Sequence, residues 1–254
     1  MFKKINLIPL LTALFIINIF PMASQPSFNL ATYDYKAASV LPIYKELDQQ
    51  EYVILTREIW GKDKGTYDDF SGGRNKGEMH PIETAAREFW EEGILNETLG
   101  WSLEDTKNFI DPQNNNTLQI IIYSKDRDPN NPQSRNSRSV TYIVNFDKYG
   151  NTLLNHFYDA LTVEKIKHTT SPHKGKRSTM EKDLIASVPL SKFKEAIINN
   201  TNKVEALIIN PETREFYHQK IILRPFLISK LRPYFLNKPY EQGENEKIKY
   251  YKVS

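Results

Sequence analysis

Three carboxylates stand within five positions of one another in Arg87-Glu88-Phe89-Trp90-Glu91-Glu92, shortly after the glycine turn Ser71-Gly72-Gly73-Arg74. At about 100° per helical residue, Glu91 lies about 60° to one side of Glu88 and Glu92 about 40° to the other. A helix here places all three acids on one arc, while Ile82, Ala85, Ala86 and Phe89 follow an apolar spacing on another face. Three like charges so close repel one another and pull their pKa values apart. A hard divalent cation, Mg²⁺ or Mn²⁺, relieves that conflict through oxygen ligands while sharing itself with substrate phosphates. Arg87 stands beside the acids, able to pair with one and fix its rotamer. Taken alone, such a stretch reads first as the solvated face of a helix. The glycines add the second signal, since Gly72 and Gly73 let backbone approach a metal or phosphate and Gly77 permits a sharp turn before the helix.

The elements that must position these residues follow from the pattern of the chain. Lys36 to Tyr44 and Glu51 to Trp60 read as strands joined by a polar turn, and Tyr67 to Gly73 as a short extended piece. Pro81 to Glu92 and Ser102 to Phe109 read as helices, Leu118 to Tyr123 and Ser139 to Phe146 as strands. Lys125 to Arg138 and His168 to Thr179 are polar and punctuated like loops, on either side of a helix over Thr152 to Lys167. A strand at Asp183 to Pro189, a helix at Leu190 to Ile198, strands at Ala206 to Ile209 and Phe216 to Leu223, and a helix at Phe226 to Leu231 complete the order. The last dozen residues are charged and read as frayed. The expectation is an α/β (α+β) fold, one domain over residues 25–254 with a C-terminal extension from about residue 204.

Composition limits the function classes. With no cysteine, disulfides, thiol nucleophiles and Cys-ligated metals are excluded. A net charge of +3 in 254 residues gives no footprint for a stable nucleic acid partner. Lys3 and Lys4 precede a mostly apolar run from Ile5 to Phe20, interrupted by Asn6, Pro9 and Asn18, and then Pro21-Met22-Ala23-Ser24. This reads as a cleaved export signal over residues 1–24, for a periplasmic or secreted product, and the run is shorter than the ~20 residues a spanning helix needs. Membrane contact is expected only through that segment.

Gly72 to Glu78 and Arg87 to Glu92 together resemble the Nudix box, a glycine–loop–glutamate–helix motif. Two spacings depart from the family pattern: eight residues, Met79 to Ala86, separate the loop glutamate from the arginine where the family has seven, and Gly93 follows Glu92 directly instead of after one residue. Neither changes the angles among Glu88, Glu91 and Glu92, while the register of Glu78 against the helix is altered. The resemblance implies a Nudix-type α/β/α sandwich with a mixed sheet, and metal-dependent hydrolysis of a nucleoside diphosphate linked to another moiety. It also implies Glu88, Glu91, Glu92 and the Gly73 carbonyl as metal ligands, with Glu91 and Arg87 catalytic. A later acid, Glu181 or else Asp183, is the candidate general base. Gly72, Arg74, Lys174 and Arg177 are the candidates for holding substrate, and Trp60, Tyr67 and Phe70 either stack on a base or pack. The competing expectation is a Nudix-fold module or effector that binds a nucleotide or protein without hydrolysing it.

Overall fold

In a computed structural model of the chain, residues 33–46, 49–125, 137–170, 182–236 and 246–252 are described. The export signal, the loop bearing Lys174 and Arg177, and Glu181 lie outside them. Strand β1 (Ala37–Lys45) is the organising element. Along one edge it pairs in parallel with β6 (Ser137–Asn145). Along the other it pairs first with β4 (Phe70–Gly73), through Ala37–Gly73 to Val40–Phe70, and then with β2 (Glu51–Glu58), through Ile43–Val53 to Lys45–Glu51. That edge is shared between two partners. Where β2 leaves β1, it pairs with the short β3 (Tyr67–Asp68), and its other edge takes β7 (Lys182–Pro189).

Outside these lie β5 (Thr117–Lys125) against β6 on one side, and β8 (Lys203–Ile209) with β9 (Phe216–Ile222) beyond β7 on the other. The result is an open, mixed sheet with helices on both faces. Residues 246–252, expected to be frayed, instead form β10 (Glu246–Lys252), antiparallel to β5. The extension from residue 204 thus adds strands at both ends of one sheet.

Helix α1 (Pro81–Glu92) begins as its sequence dictates, with Pro81 at its first position and Glu83 reaching back to accept from the Met79 and His80 amides at 2.6 and 3.1 Å. Its apolar face, Ala85, Ala86 and Phe89, is buried against β1 and β4. Phe89 meets Phe70 edge-on at 4.8 Å and Phe146 at 5.4 Å. Burial of a ring of this size stabilises by about 1.5–3 kcal/mol and fixes how the helix sits on the strands. At the other end, a side chain on Gly93 would run into the Phe89 carbonyl at 2.7 Å, so the helix stops where the chain can turn without one. Two short helices, α2 (Leu95–Thr98) and α3 (Leu103–Ile110), follow on the same face. Ser102 caps α3, accepting from the Asp105 amide at 3.1 Å. Helix α4 (Gly150–Thr170) runs three residues past the expected end, so His168 to Thr170 are helical rather than loop. On the opposite face, α5 (Leu190–Ile198) and α6 (Pro225–Phe235) pack over a second cluster built on Leu41, Val53, Leu55, Ile121, Ile143 and Val188. Among the described residues no helix is long and apolar enough to cross a membrane.

Candidate active site

The β4 turn and α1 meet because Gly72 has no side chain. A Cβ there would fall inside the Glu88 carboxylate, so that acid can lie directly on the strand backbone. Arg87 then gathers what the sequence spreads over two segments. Its Nε donates to Glu78 Oε1 at 2.6 Å, one terminal nitrogen reaches Glu88 Oε1 at 2.6 Å and Glu91 Oε2 at 3.0 Å, and the other donates to the Gly73 carbonyl at 2.8 Å. One guanidinium therefore has four oxygen partners, a use of its planar fork that an ammonium cannot copy. Burial opposes the Arg87 charge, but the bond to Glu78 and the fields of Glu88 and Glu91 outweigh it and raise its pKa further.

Glu78 belongs to this site despite its altered register. Burial works to raise its pKa, and hydrogen bonds from Arg87, Thr84 and the Asn75 amide overcome that and lower it. The extra residue is absorbed where the loop enters the helix: Gly77 takes a φ of +101°, and the Glu78 amide donates to the Asn75 carbonyl at 3.2 Å.

Glu92 takes a different direction. Thr84, Glu88 and Glu92 form a buried stripe on α1 facing β4, whereas the Glu91 side chain is 30% exposed. Glu92 Oε2 accepts from the Ser71 amide at 3.0 Å, and Oε1 lies 3.1 Å from Lys182 Nζ at the start of β7. Lys182 also pairs with Glu58, which Arg224 links to Asp63 and Asp68. Burial opposes the Lys182 charge, and Glu92 and Glu58 more than offset it, raising its pKa. Burial beside Glu88 and Glu58 raises Glu92, since two carboxylates share that ammonium. Nearby, Lys230 of α6 is buried on Asp69 at 2.6 and 2.7 Å and donates to Ser39 at 3.1 Å.

Among the described residues no group of three or more acidic or histidine side chains is spaced to hold a metal ion by itself. Arg87 holds Glu78, Glu88 and Glu91 around one guanidinium, while Glu92 turns toward Lys182. Glu88, Glu91 and the Gly73 carbonyl remain together, drawn to the same cation. Three such oxygens suit a hard divalent ion, so this donor set fits the metal that the resemblance implies.

The remaining candidates are divided. Arg74 donates to the Glu78 carbonyl at 2.7 Å and lies over the Tyr35 ring, helping to close the loop. Asp183 is held by Arg57 through bonds of 2.9 and 2.6 Å, which occupies both of its oxygens. Tyr67 and Phe70 are buried packing residues, while Trp60 is exposed. Beside the turn, a cleft of about 310 Å³ opens between the sheet and α6, lined by Ser39, Gly72, Gly73, Ser139, Arg224 and Phe226 among others. The Ser139 hydroxyl there is buried with no hydrogen-bond partner in the protein. Reading the sequence missed Lys182, Glu58, Arg224 and Lys230, whose only local signature was charge inside otherwise apolar strand and helix patterns.

The family model described as NUDIX domain matches residues 35–161, half of the chain, and spans both halves of this site. The chain belongs to the Nudix family. Comparison with curated proteins gives no match. Among solved structures, similarity extends to a Nudix hydrolase from M. smegmatis, RenU, at 17% identity and a TM-score of 0.27, over 45% of this chain and 62% of that one. The chain thus spans under two thirds of that protein's length. A MutT/nudix family protein from Enterococcus faecalis is similar at 11% identity and a TM-score of 0.35, over 87% of this chain and 68% of that one. The NUDIX domain of Shewanella oneidensis NrtR, complexed with ADP ribose, is similar at 11% identity and a TM-score of 0.27, over 48% and 68%.

Proposed function

We propose that this Nudix protein is a metal-dependent pyrophosphohydrolase, cleaving the diphosphate of a nucleoside diphosphate linked to another moiety. The observation that carries the reading is the convergence of Glu78, Glu88, Glu91 and the Gly73 carbonyl on Arg87. Charged groups so concentrated at a glycine turn, beside an open cleft, form a site for an anionic substrate and its counter-ion. Glu88, Glu91 and the Gly73 carbonyl would hold Mg²⁺ or Mn²⁺, which supplies charge neutralisation on phosphate oxygens and a water of lowered pKa. Arg87 fixes the rotamers of both acids, and Gly72 keeps Glu88 against the backbone. Glu91, the most exposed acid of α1, takes the proton of an attacking water, with Glu181 the other candidate for that role. The cleft beside α6, with the Ser139 hydroxyl and Phe226, would receive the nucleoside part. Lys174 and Arg177 remain proposed phosphate contacts.

The basic start, apolar run and small residues before position 25 support export to a periplasmic or secreted location. A product lacking the first 23 or 24 residues by intact mass would agree with it, and a full-length membrane-held product would overturn it.

The test is direct. The purified mature protein is incubated with Mg²⁺ or Mn²⁺ and ADP-ribose, nucleotide sugars, dinucleotides, dinucleoside polyphosphates and nucleoside triphosphates. Cleavage of a diphosphate linkage, lost in Glu88→Gln and Glu91→Gln, is expected. One observation favours a second reading, a nucleotide- or protein-binding module without hydrolysis: the site's acids already have cationic partners within the protein. Binding of a panel member without cleavage in either metal would establish it.

A further inference from the structure

Among the described residues, six polar side chains line the cleft beside α6: Ser39, Glu58, Ser71, Ser139, Arg224 and Lys230. Five are committed within the protein. Ser39 bonds Thr141 at 2.8 Å and Lys230 at 3.1 Å, and Ser71 donates to Asp68 at 3.2 Å. Glu58, Arg224 and Lys230 stand in ion pairs with Lys182, Asp68 and Asp69. Ser139 is the exception, 3% exposed with a hydroxyl that meets no partner. Its backbone serves the sheet, in register with Ala37 of β1 and Tyr123 of β5. Side chains alternate along a strand, so Ser139 shares the face of Thr141, which bonds Ser39 on the cleft floor. The hydroxyl is therefore on the α6 side of the sheet. A buried hydroxyl left unpaired lowers stability, and an apolar group of the same shape would restore it. Such an exception in a folded protein calls for a reason.

Phe226 of α6 forms the wall opposite this floor. It is half-buried, with Tyr123 edge-on at 5.7 Å and Lys230 Nζ 5.6 Å from its ring centroid. Helix α6 lies beyond residues 35–161, so this wall is the chain's own addition to the family domain. We infer that Ser139 is a specificity-determining residue, its hydroxyl bonding the edge of a heteroaromatic base laid against Phe226. This rests on the nucleoside reading of the cleft proposed above. A base has a planar face to set on an aromatic ring, which a sugar lacks. Its rim of nitrogens and oxygens meets a hydroxyl that can both donate and accept. The serine side chain pivots on one bond, so its oxygen can follow a ring entering the cleft. A ligand without a polar edge would leave the hydroxyl unpaired and is disfavoured for that reason.

Calorimetric binding of adenosine, guanosine, cytidine and uridine 5′-monophosphates in Mg²⁺ tests this with no diphosphate to cleave. The parent protein should bind at least one of them. Ser139→Ala should weaken that binding about fivefold, the worth of one neutral hydrogen bond, while melting at or above the parent's temperature. A merely structural serine would do the opposite. Phe226→Leu, which keeps the apolar bulk, should weaken binding about fivefold or more through lost stacking. Ribose 5-phosphate, which has no base, should bind the parent and Ser139→Ala alike. The inference is overturned if no monophosphate binds, or if either substitution leaves binding unchanged. It is equally overturned if ribose 5-phosphate suffers the same loss, or if Ser139→Ala melts several degrees lower. Serine-dependent binding with no diphosphate cleaved in the substrate panel would sink the hydrolase reading and sustain this one. Cleavage with kcat/KM unchanged in Ser139→Ala would do the reverse.

Discussion

Glu78 Oε1 lies 2.6 Å from Arg87 Nε, and this contact closes the loop after β4 onto the second turn of α1. Because the same guanidinium also holds Glu88, Glu91 and the Gly73 carbonyl, loop, strand and helix share one hub. Replacing Arg87 with Met leaves three acids facing one another with no counter-charge. A loss of about 2–4 kcal/mol in urea unfolding is expected, together with at least a hundredfold loss of hydrolysis. Arg87→Lys should recover little of either, since one ammonium cannot reproduce the fork. Near-parental stability in Arg87→Met would contradict the hub.

The two glycines of the turn are not equivalent. At Gly72 a methyl would occupy the Glu88 carboxylate, whereas at Gly73 it would meet nothing within 4 Å. Gly72→Ala is therefore expected to displace Glu88, lower the melting temperature by several degrees and abolish hydrolysis. Gly73→Ala should leave both close to the parent. Equal effects from the two substitutions, in melting curves and rates, would show that Glu88 does not rest on the strand.

Acid sensitivity should centre on the entrance to α1. The pKa values of Glu78 and Glu83 are lowered from the ordinary 4.5, in each case by hydrogen bonds that outweigh burial. A carboxylate with a lowered folded pKa contributes stability that is fully present above its unfolded value and lost as pH falls through the folded one. Melting temperatures should thus decline below about pH 4.5, and Glu83→Gln, already without that contribution at neutral pH, should show a shallower decline. An unchanged acid limb in Glu83→Gln would remove the capping glutamate from the explanation.

Helix α6 is fixed by a buried charge. Lys230 sits on Asp69 and Ser39, and burial pushes the Asp69 carboxyl up to about 6 while Lys230 draws it back. Lys230→Met strands Asp69, at an expected cost of about 3–5 kcal/mol in denaturant unfolding. Lys230→Met with Asp69→Asn should recover part of that loss. If the single substitution is neutral, the cleft beside α6 is held by apolar packing alone.

These contacts show what the sequence could and could not disclose. The bounds of α1, Pro81 to Glu92, were legible because proline, an acidic first turn, an apolar stripe and a closing glycine are local signals. The box also exposed Arg87, Glu88 and Glu91. The inward turn of Glu92 was not legible, because the three acids read as one arc and only the position of β4 decides that Glu88 and Glu92 are buried while Glu91, about 100° from Glu92, is not. Lys182 lies one position before the strand expected at Asp183 and carried no reading of its own; its role depends on Glu58, 124 positions earlier, through a register visible only in the sheet. The strand Glu246–Lys252 was hidden for the same reason, since its pairing partner β5 ends at Lys125. Charged residues alternating with Ile248 and Tyr250 resemble a frayed tail until that edge is available.

Hydrolysis in ¹⁸O-labelled water measures the central claim most directly. With Mg²⁺ or Mn²⁺ and the substrate that the panel selects, one phosphate product should carry the label, showing attack of water at phosphorus. Labelling should disappear in Glu88→Gln and in Glu91→Gln. The contrary result is the absence of any labelled phosphate across the panel, or labelling that survives both substitutions.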